Sequence, residues 1–244
     1  MALGHAPTFA FDNILTFIDT LNPRCFDGTS ATMIDLFNQK SAIGTSLTSI
    51  STTQGISFGN NKNTIVSGIG LSYFVQIPES EYTKICWFNL DDVATSQPLI
   101  CGQMPRHFFW MNNTSNLTSS HSGSRLATAP TLSSTAGTTS LSPGVWYFGA
   151  TTFRSYLSPS AAIGNTGGKV YLNGRLDGIN RTMGFAFNKV AGTADTYHLG
   201  RSLDPTISSP ILNGKISYAL VYARALSDEE ILQIYNATKK RYGY

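Results

Sequence analysis

The sequence predicts an all-β fold, an antiparallel two-sheet sandwich pinned by one short C-terminal helix. Three stretches carry that prediction. First, Val170 and Leu172 alternate with Lys169, Tyr171 and Asn173 and lead into Asn173-Gly174. That is the two-residue period of a strand followed by a pair that accepts the positive φ angles of a tight hairpin. Second, Ile216, Tyr218, Leu220 and Tyr222 are expected on one face of a strand, with Ala219 and Val221 on the other. A strand apolar on both faces belongs in the middle of a covered sheet. Third, Ser227-Asp228-Glu229-Glu230 reads as a capping box, with acids at the positive end of a helix. Ile231, Ile234 and Tyr235 then share a face, Lys239 to Arg241 stand near the negative end, and Gly243 stops it, which places the helix at 227–242.

The remaining elements follow in order. Residues 9–19 read as the first strand, with both faces apolar, since Leu15 and Phe17 alternate with Ile14, Thr16 and Ile18. Asn22-Pro23 and Asp27-Gly28 are turns, and Met33 to Phe37 follows as a strand. Residues 40–54 are rich in Ser and Thr and read as a surface meander before a short strand at Gly55–Phe58. Ile69–Ile77 and Lys84–Leu90 alternate, and Pro98–Gln103 with the aromatic-dense Arg106–Asn112 form the next pair. From Asn112 to Pro143 the chain is polar, with apolar residues at Leu117, Leu126 and Leu132, and is expected to form short exposed strands with long turns. Gly144–Ala150 is an inner strand, and Arg181–Asn188 and Thr196–Gly200 are further ones. At the usual length of about five residues, roughly twelve to fourteen strands are expected. No internal repeat is visible, which excludes a propeller or solenoid.

At 244 residues the chain fits one large sandwich domain. Only 13% of residues are charged and the net charge is +3, with Lys and Arg scattered, so no nucleic-acid partner is expected. No apolar run is long enough to span a bilayer. The N-terminus lacks the basic start and apolar core of a signal peptide, so no export by that route is expected. Cys25, Cys86 and Cys101 show no CxxC spacing. A Cys86–Cys101 bridge is conceivable; buried free thiols are the alternative and suit a chain made in a reducing cytoplasm.

Several of these strings resemble one family. VYLNG at 170–174, LGR at 199–201, the strand NGKIS at 213–217 and the closing helix are similar to the C-terminal half of laminin-G-like, concanavalin A-like lectin/glucanase domains. The form most resembled is the single-domain one common in bacteriophage virion proteins. The opening, LTFIDTLNPRCFDGTSATMIDL at 15–36, has that form's order of strand, acid, Asn-Pro, Gly-Thr and Asp-Leu. The family more often has an aromatic or small residue at the position of Cys25 and a Trp near Met33. Trp87 and Trp146 match two of its strands, and Trp87 is read as core packing. The resemblance implies a jelly-roll sandwich spanning 1–244. It also implies a non-enzymatic virion protein made in the host cytoplasm, either a head decoration or cement subunit or a tail-associated one. Its partners would be other virion proteins and, in a homo-oligomer, copies of itself. Separately, the N-terminal arm at 1–11 is expected to pack against another chain.

Two other function classes stay open. Glycan binding for host recognition would use aromatics that stack on sugar faces, and Phe108, Trp110, Asn112 and Tyr156 are the candidates. The competing reading makes Phe108 and Trp110 inward residues of a strand. Glycoside hydrolysis needs paired carboxylates. The four glutamates, Glu79, Glu81, Glu229 and Glu230, fall at a turn and a helix cap, and Asp91-Asp92 would face opposite ways on a strand. No catalytic residues are therefore assigned. His5, His107, His121 and His198 show no metal-binding spacing. No cofactor is expected; calcium is left open, with Asp91, Asp92, Asp177 and Asp204 as loop acids that could gather round an ion.

Overall fold

A ten-residue strand, Glu81–Leu90, runs through the middle of the fold, buried along nearly its whole length. It lies in a computed structural model that describes residues 11–28, 32–37, 39, 41–43, 49–58, 71–73, 80–102, 107–123, 131–155, 166–182, 197–202 and 211–244. The N-terminal arm up to residue 10, Tyr156, Asp204 and most of the expected strand at Arg181–Asn188 lie outside the described residues.

In chain order the strands are β1 Ile14–Asp19, β2 Thr32–Ile34, β3 Ser41–Ile43, β4 Ser49–Ser51, β5 Gly55–Phe58 and β6 Leu71–Tyr73. The middle strand is β7, followed by β8 Gln97–Pro98, β9 Ile100–Gly102, β10 His107–Met111, β11 Asn116–Gly123 and β12 Thr131–Ser140. Then come β13 Trp146–Arg154, β14 Gly167–Leu172, β15 Arg175–Asn180, β16 Tyr197–Leu199 and β17 Gly214–Tyr222. Helix α1 spans Asp228–Thr238 and continues as a single 3-10 turn, Lys239–Tyr242.

One eight-stranded antiparallel sheet orders as β15-β14-β13-β7-β17-β5-β4, with β1 also on β17. The second layer is divided into a four-stranded sheet, β12-β11-β10-β8, and a three-stranded one, β6-β16-β9. They meet where Leu99 N–H donates to the carbonyl of Phe109. The main core fills the space between the layers: Cys86, Phe88, Ala219 and Val221 come from the large sheet, Phe109, Met111 and Leu117 from the second, Tyr197 and Leu199 from the third. A smaller core lies on the other face of the large sheet, where Trp87, Phe148, Tyr171 and Leu220 pack under Ile231 and Ile234 of α1.

The local signals are met closely. Asn173 and Gly174 both take positive φ, 49° and 77°, at the β14–β15 turn. The Ser227 side chain accepts from Glu230 N–H, the Glu230 carboxylate accepts from Ser227 N–H, and Gly243 ends the 3-10 turn in the left-handed region. Cys25, Cys86 and Cys101 are buried free thiols.

Two expectations need correction. Ile216 does not share a face with Tyr218, Leu220 and Tyr222. A bulge between Ile216 and Tyr218 in the pairing with β7 turns it into the main core beside Ala219 and Val221, because one extra residue reverses a two-residue period. The polar middle is not a set of short exposed strands. It holds β11 and β12, eight and ten residues long, with Leu117, Ser119, His121 and Thr135 buried. Ser and Thr are tolerated inside a sheet whose ladder already pairs the backbone. Trp87 is buried in a core as expected, the smaller one under α1.

Candidate functional site

Two surface features carry side chains of the types that bind ligands. The first contains the aromatic candidates. On β10, Phe109 and Met111 point into the main core, so these are the strand's inward residues. Phe108 and Trp110 lie on the opposite face, correcting the reading that made them inward. Their rings meet edge to face, with centroids 5.4 Å apart. Trp110 stands opposite Pro98 on β8 and Thr118 on β11, and Phe108 opposite Ser120. Phe108 is only 2% exposed, whereas Trp110 keeps part of its ring at the surface. Asn112 belongs to the turn after β10: its Oδ1 accepts from Thr114 N–H, Thr114 Oγ1 and Asn116 N–H. The structure thus brings Phe108 and Trp110 together and commits the Asn112 carbonyl oxygen to the turn.

The second feature is a cleft of about 430 Å³ at the foot of α1, on the outer face of the large sheet. Its floor is Thr152 and Arg154 of β13 with Lys169 of β14, and its far wall is the chain from Arg224 to Glu230. Every described cation of the lining has a carboxylate partner. Arg154 Nε donates to Glu81 at 3.2 Å and its other arm to the Ala225 carbonyl. Lys169 meets Asp228 at 2.6 Å, and Arg224 grips Glu230 with both arms and also reaches Asp12. The hydrogen bonds from Arg224 hold Glu230 below its ordinary range, against a smaller opposing effect of burial. Burial pushes Asp228 up, but bonds from Lys169 and the Tyr171 hydroxyl outweigh it, and its carboxyl lies below the usual range. The cleft can therefore offer fixed, internally neutralised hydrogen-bonding groups. Neither Asp228 nor Glu230 is held protonated at neutral pH, the state a general acid needs.

The sequence reading missed this cleft. Lys169 and Arg224 sit in a hairpin strand and just before a capping box, and nothing in their spacing reveals that β13, β14 and α1 meet. Of the loop acids considered for calcium, Asp177 accepts from Thr138 and Thr139 of β12 and Asp92 from Ala94 N–H. No group of three or more His, Cys, Asp or Glu that could hold a metal occurs among the described residues. No helix among them is long and apolar enough to cross a membrane.

A family model described as concanavalin A-like lectin/glucanases superfamily matches residues 50–232, three quarters of the chain. The chain belongs to the concanavalin A-like lectin/glucanase superfamily. No curated protein matches it in sequence. Among solved structures, this superfamily member resembles Trypanosoma rangeli sialidase in complex with 2,3-difluorosialic acid, at TM-score 0.60 and 11% identity. That likeness covers 97% of this chain and 35% of the sialidase, so the chain spans about a third of that protein's length. It also resembles the CBM40 of Ruminococcus gnavus IT-sialidase bound to α2,3-sialyllactose, at TM-score 0.52 and 15% identity, covering 74% of this chain and 94% of the module. Identities this low show a shared fold, and a fold hosts many functions.

Proposed function

We propose that this superfamily member is a non-enzymatic structural subunit of a bacteriophage virion, placed on the head as a decoration or cement protein or associated with the tail, and working by holding protein surfaces. The observation that carries the non-enzymatic half is the state of the carboxylates at the foot of α1. Asp228 and Glu230 are both held ionised by cations and hydrogen bonds, whereas a glycosidase needs one carboxyl kept protonated opposite the other. The virion half is supported by the opening and closing motifs, which resemble the phage form of the fold. The test is co-sedimentation of the purified chain with emptied phage heads and with isolated tails, alongside an assay for sugar release. Saturable binding to either particle with no sugar released supports the proposal. Sugar release, or binding to neither particle, removes it.

One observation favours a second reading, glycan binding for host recognition. Trp110 presents part of its ring beside Phe108 at the surface of the second layer, and aromatic faces of this kind stack on sugar rings. The fold shared with a CBM40 bound to sialyllactose is consistent with it. A glycan array decides between the two, with binding there but not to particles favouring this one.

A further inference from the structure

Lys84 is the only described lysine that is fully buried. It lies on β7 beside Tyr82 and Cys86, on the face that fills the space between the layers. Its ammonium reaches across that space to both halves of the second layer. Nζ donates to the Ile100 carbonyl on β9 at 3.0 Å and to the His107 carbonyl on β10 at 3.0 Å. The third contact is His107 Nδ1 at 2.8 Å. One side chain thus links all three main sheets of the sandwich. The room is built for it: a Cβ on Gly102 would lie 2.6 Å from the His107 ring, and the Tyr82 ring faces Nζ at 5.3 Å.

We propose that the Lys84–His107 contact is an acid-sensitive joint between the layers, closed while the pair carries at most one positive charge and opened when acid adds a second. A charged lysine donates three hydrogen bonds, and this site supplies three acceptors provided that Nδ1 keeps its lone pair. A solvent proton taken up at Nδ1 removes that acceptor and leaves two cations in contact. No carboxylate among the described residues acts on Lys84. Among the described residues, the other titratable groups packed around the pair are Tyr82 and Cys86 on β7, Cys101 on β9, His121 on β11 and, opposite Cys101 on β16, His198. None of these is an acid that is ionised near neutrality, so none offsets the second charge.

Burial pushes Lys84 down to about 7 from 10.5. Between those values the unfolded chain binds more protons than the folded one, so stability rises with pH across that window and is lower on its acid side. Below it, both states carry the lysine proton.

Two measurements on the intact chain test this. The reaction of the buried Cys86 and Cys101 thiols with dithiodipyridine, which proceeds in acid, should quicken about tenfold or more from pH 7 to pH 5 as the layers part. Lys84→Met, which keeps the length and removes the charge, should abolish the acceleration. Thiols equally slow at both pH values, or equally accelerated in a folded Lys84→Met, overturn the proposal. Should that variant fail to fold, ¹³C-lysine NMR of the unaltered chain decides. One lysine resonance titrating roughly three units below the rest supports the joint, and all lysines titrating together overturn it.

Discussion

The indole N–H of Trp87 donates a 2.7 Å hydrogen bond to the Thr238 hydroxyl, tying the middle strand of the large sheet to the last turn of the C-terminal helix. The hydroxyl passes the bond on to the Ile234 carbonyl. Tyr242 then stacks over the same indole at 4.0 Å, and the Tyr244 hydroxyl donates to the Trp146 carbonyl. The end of the chain is a lid on the second core. Thr238→Val is expected to cost about 1–3 kcal/mol, because it strands a buried N–H, while Thr238→Ser costs less. Tyr242→Ala should cost about 2 kcal/mol through the lost stack. Urea unfolding followed by Trp fluorescence measures both.

At the side of the sandwich, Asp177 of β15 accepts from the hydroxyls of Thr138 and Thr139 and from Thr139 N–H on β12. It closes the seam between the edges of the two layers. Asp177→Ala should loosen that edge by about 1–2 kcal/mol without unfolding the centre. Faster hydrogen exchange confined to β12 and β15 is the expected pattern, and uniform exchange would contradict it.

Gly55 stands at φ +89°, where an added Cβ would meet Ser217 Cβ at 2.5 Å and the Ile216 carbonyl at 2.7 Å. These are the residues of the bulge that reverses Ile216. Gly55→Ala should cost about 2–4 kcal/mol, since neither backbone can give way, read as a lowered urea midpoint.

Acid should release the helix cap. Glu230 has its folded value depressed, chiefly by Arg224, so its contribution is present above the unfolded carboxylate range and is lost as pH falls through the lower folded value. The α1 amides should lose protection below about pH 4, and Glu230→Gln should show that loss already at neutral pH.

The two aromatics of β10 should respond differently to truncation. Phe108→Ala, at a side chain 2% exposed, is expected to destabilise by about 3 kcal/mol. Trp110→Ala is expected to leave stability within about 1–2 kcal/mol and to abolish any glycan signal on an array. An array signal that survives Trp110→Ala moves the glycan contact elsewhere.

What the amino-acid order determined alone is local. The Asn173-Gly174 hairpin, the capping box at Ser227, the stop at Gly243 and the all-β class follow from turn chemistry, end-group hydrogen bonds and a two-residue period, each set by near neighbours in the chain. The alternation of Lys84–Leu90 was visible too, but not which of its faces turns inward with Lys84. Nor was what Lys84 touches, because Ile100 and His107 reach it only after three sheets assemble. The same holds for the cleft of Arg154, Lys169 and Arg224, for Trp87 turning toward α1, and for Ile216 crossing faces at a bulge. Those outcomes depend on register and layer packing between residues far apart in the chain, and a shift of one position reverses every side chain that follows.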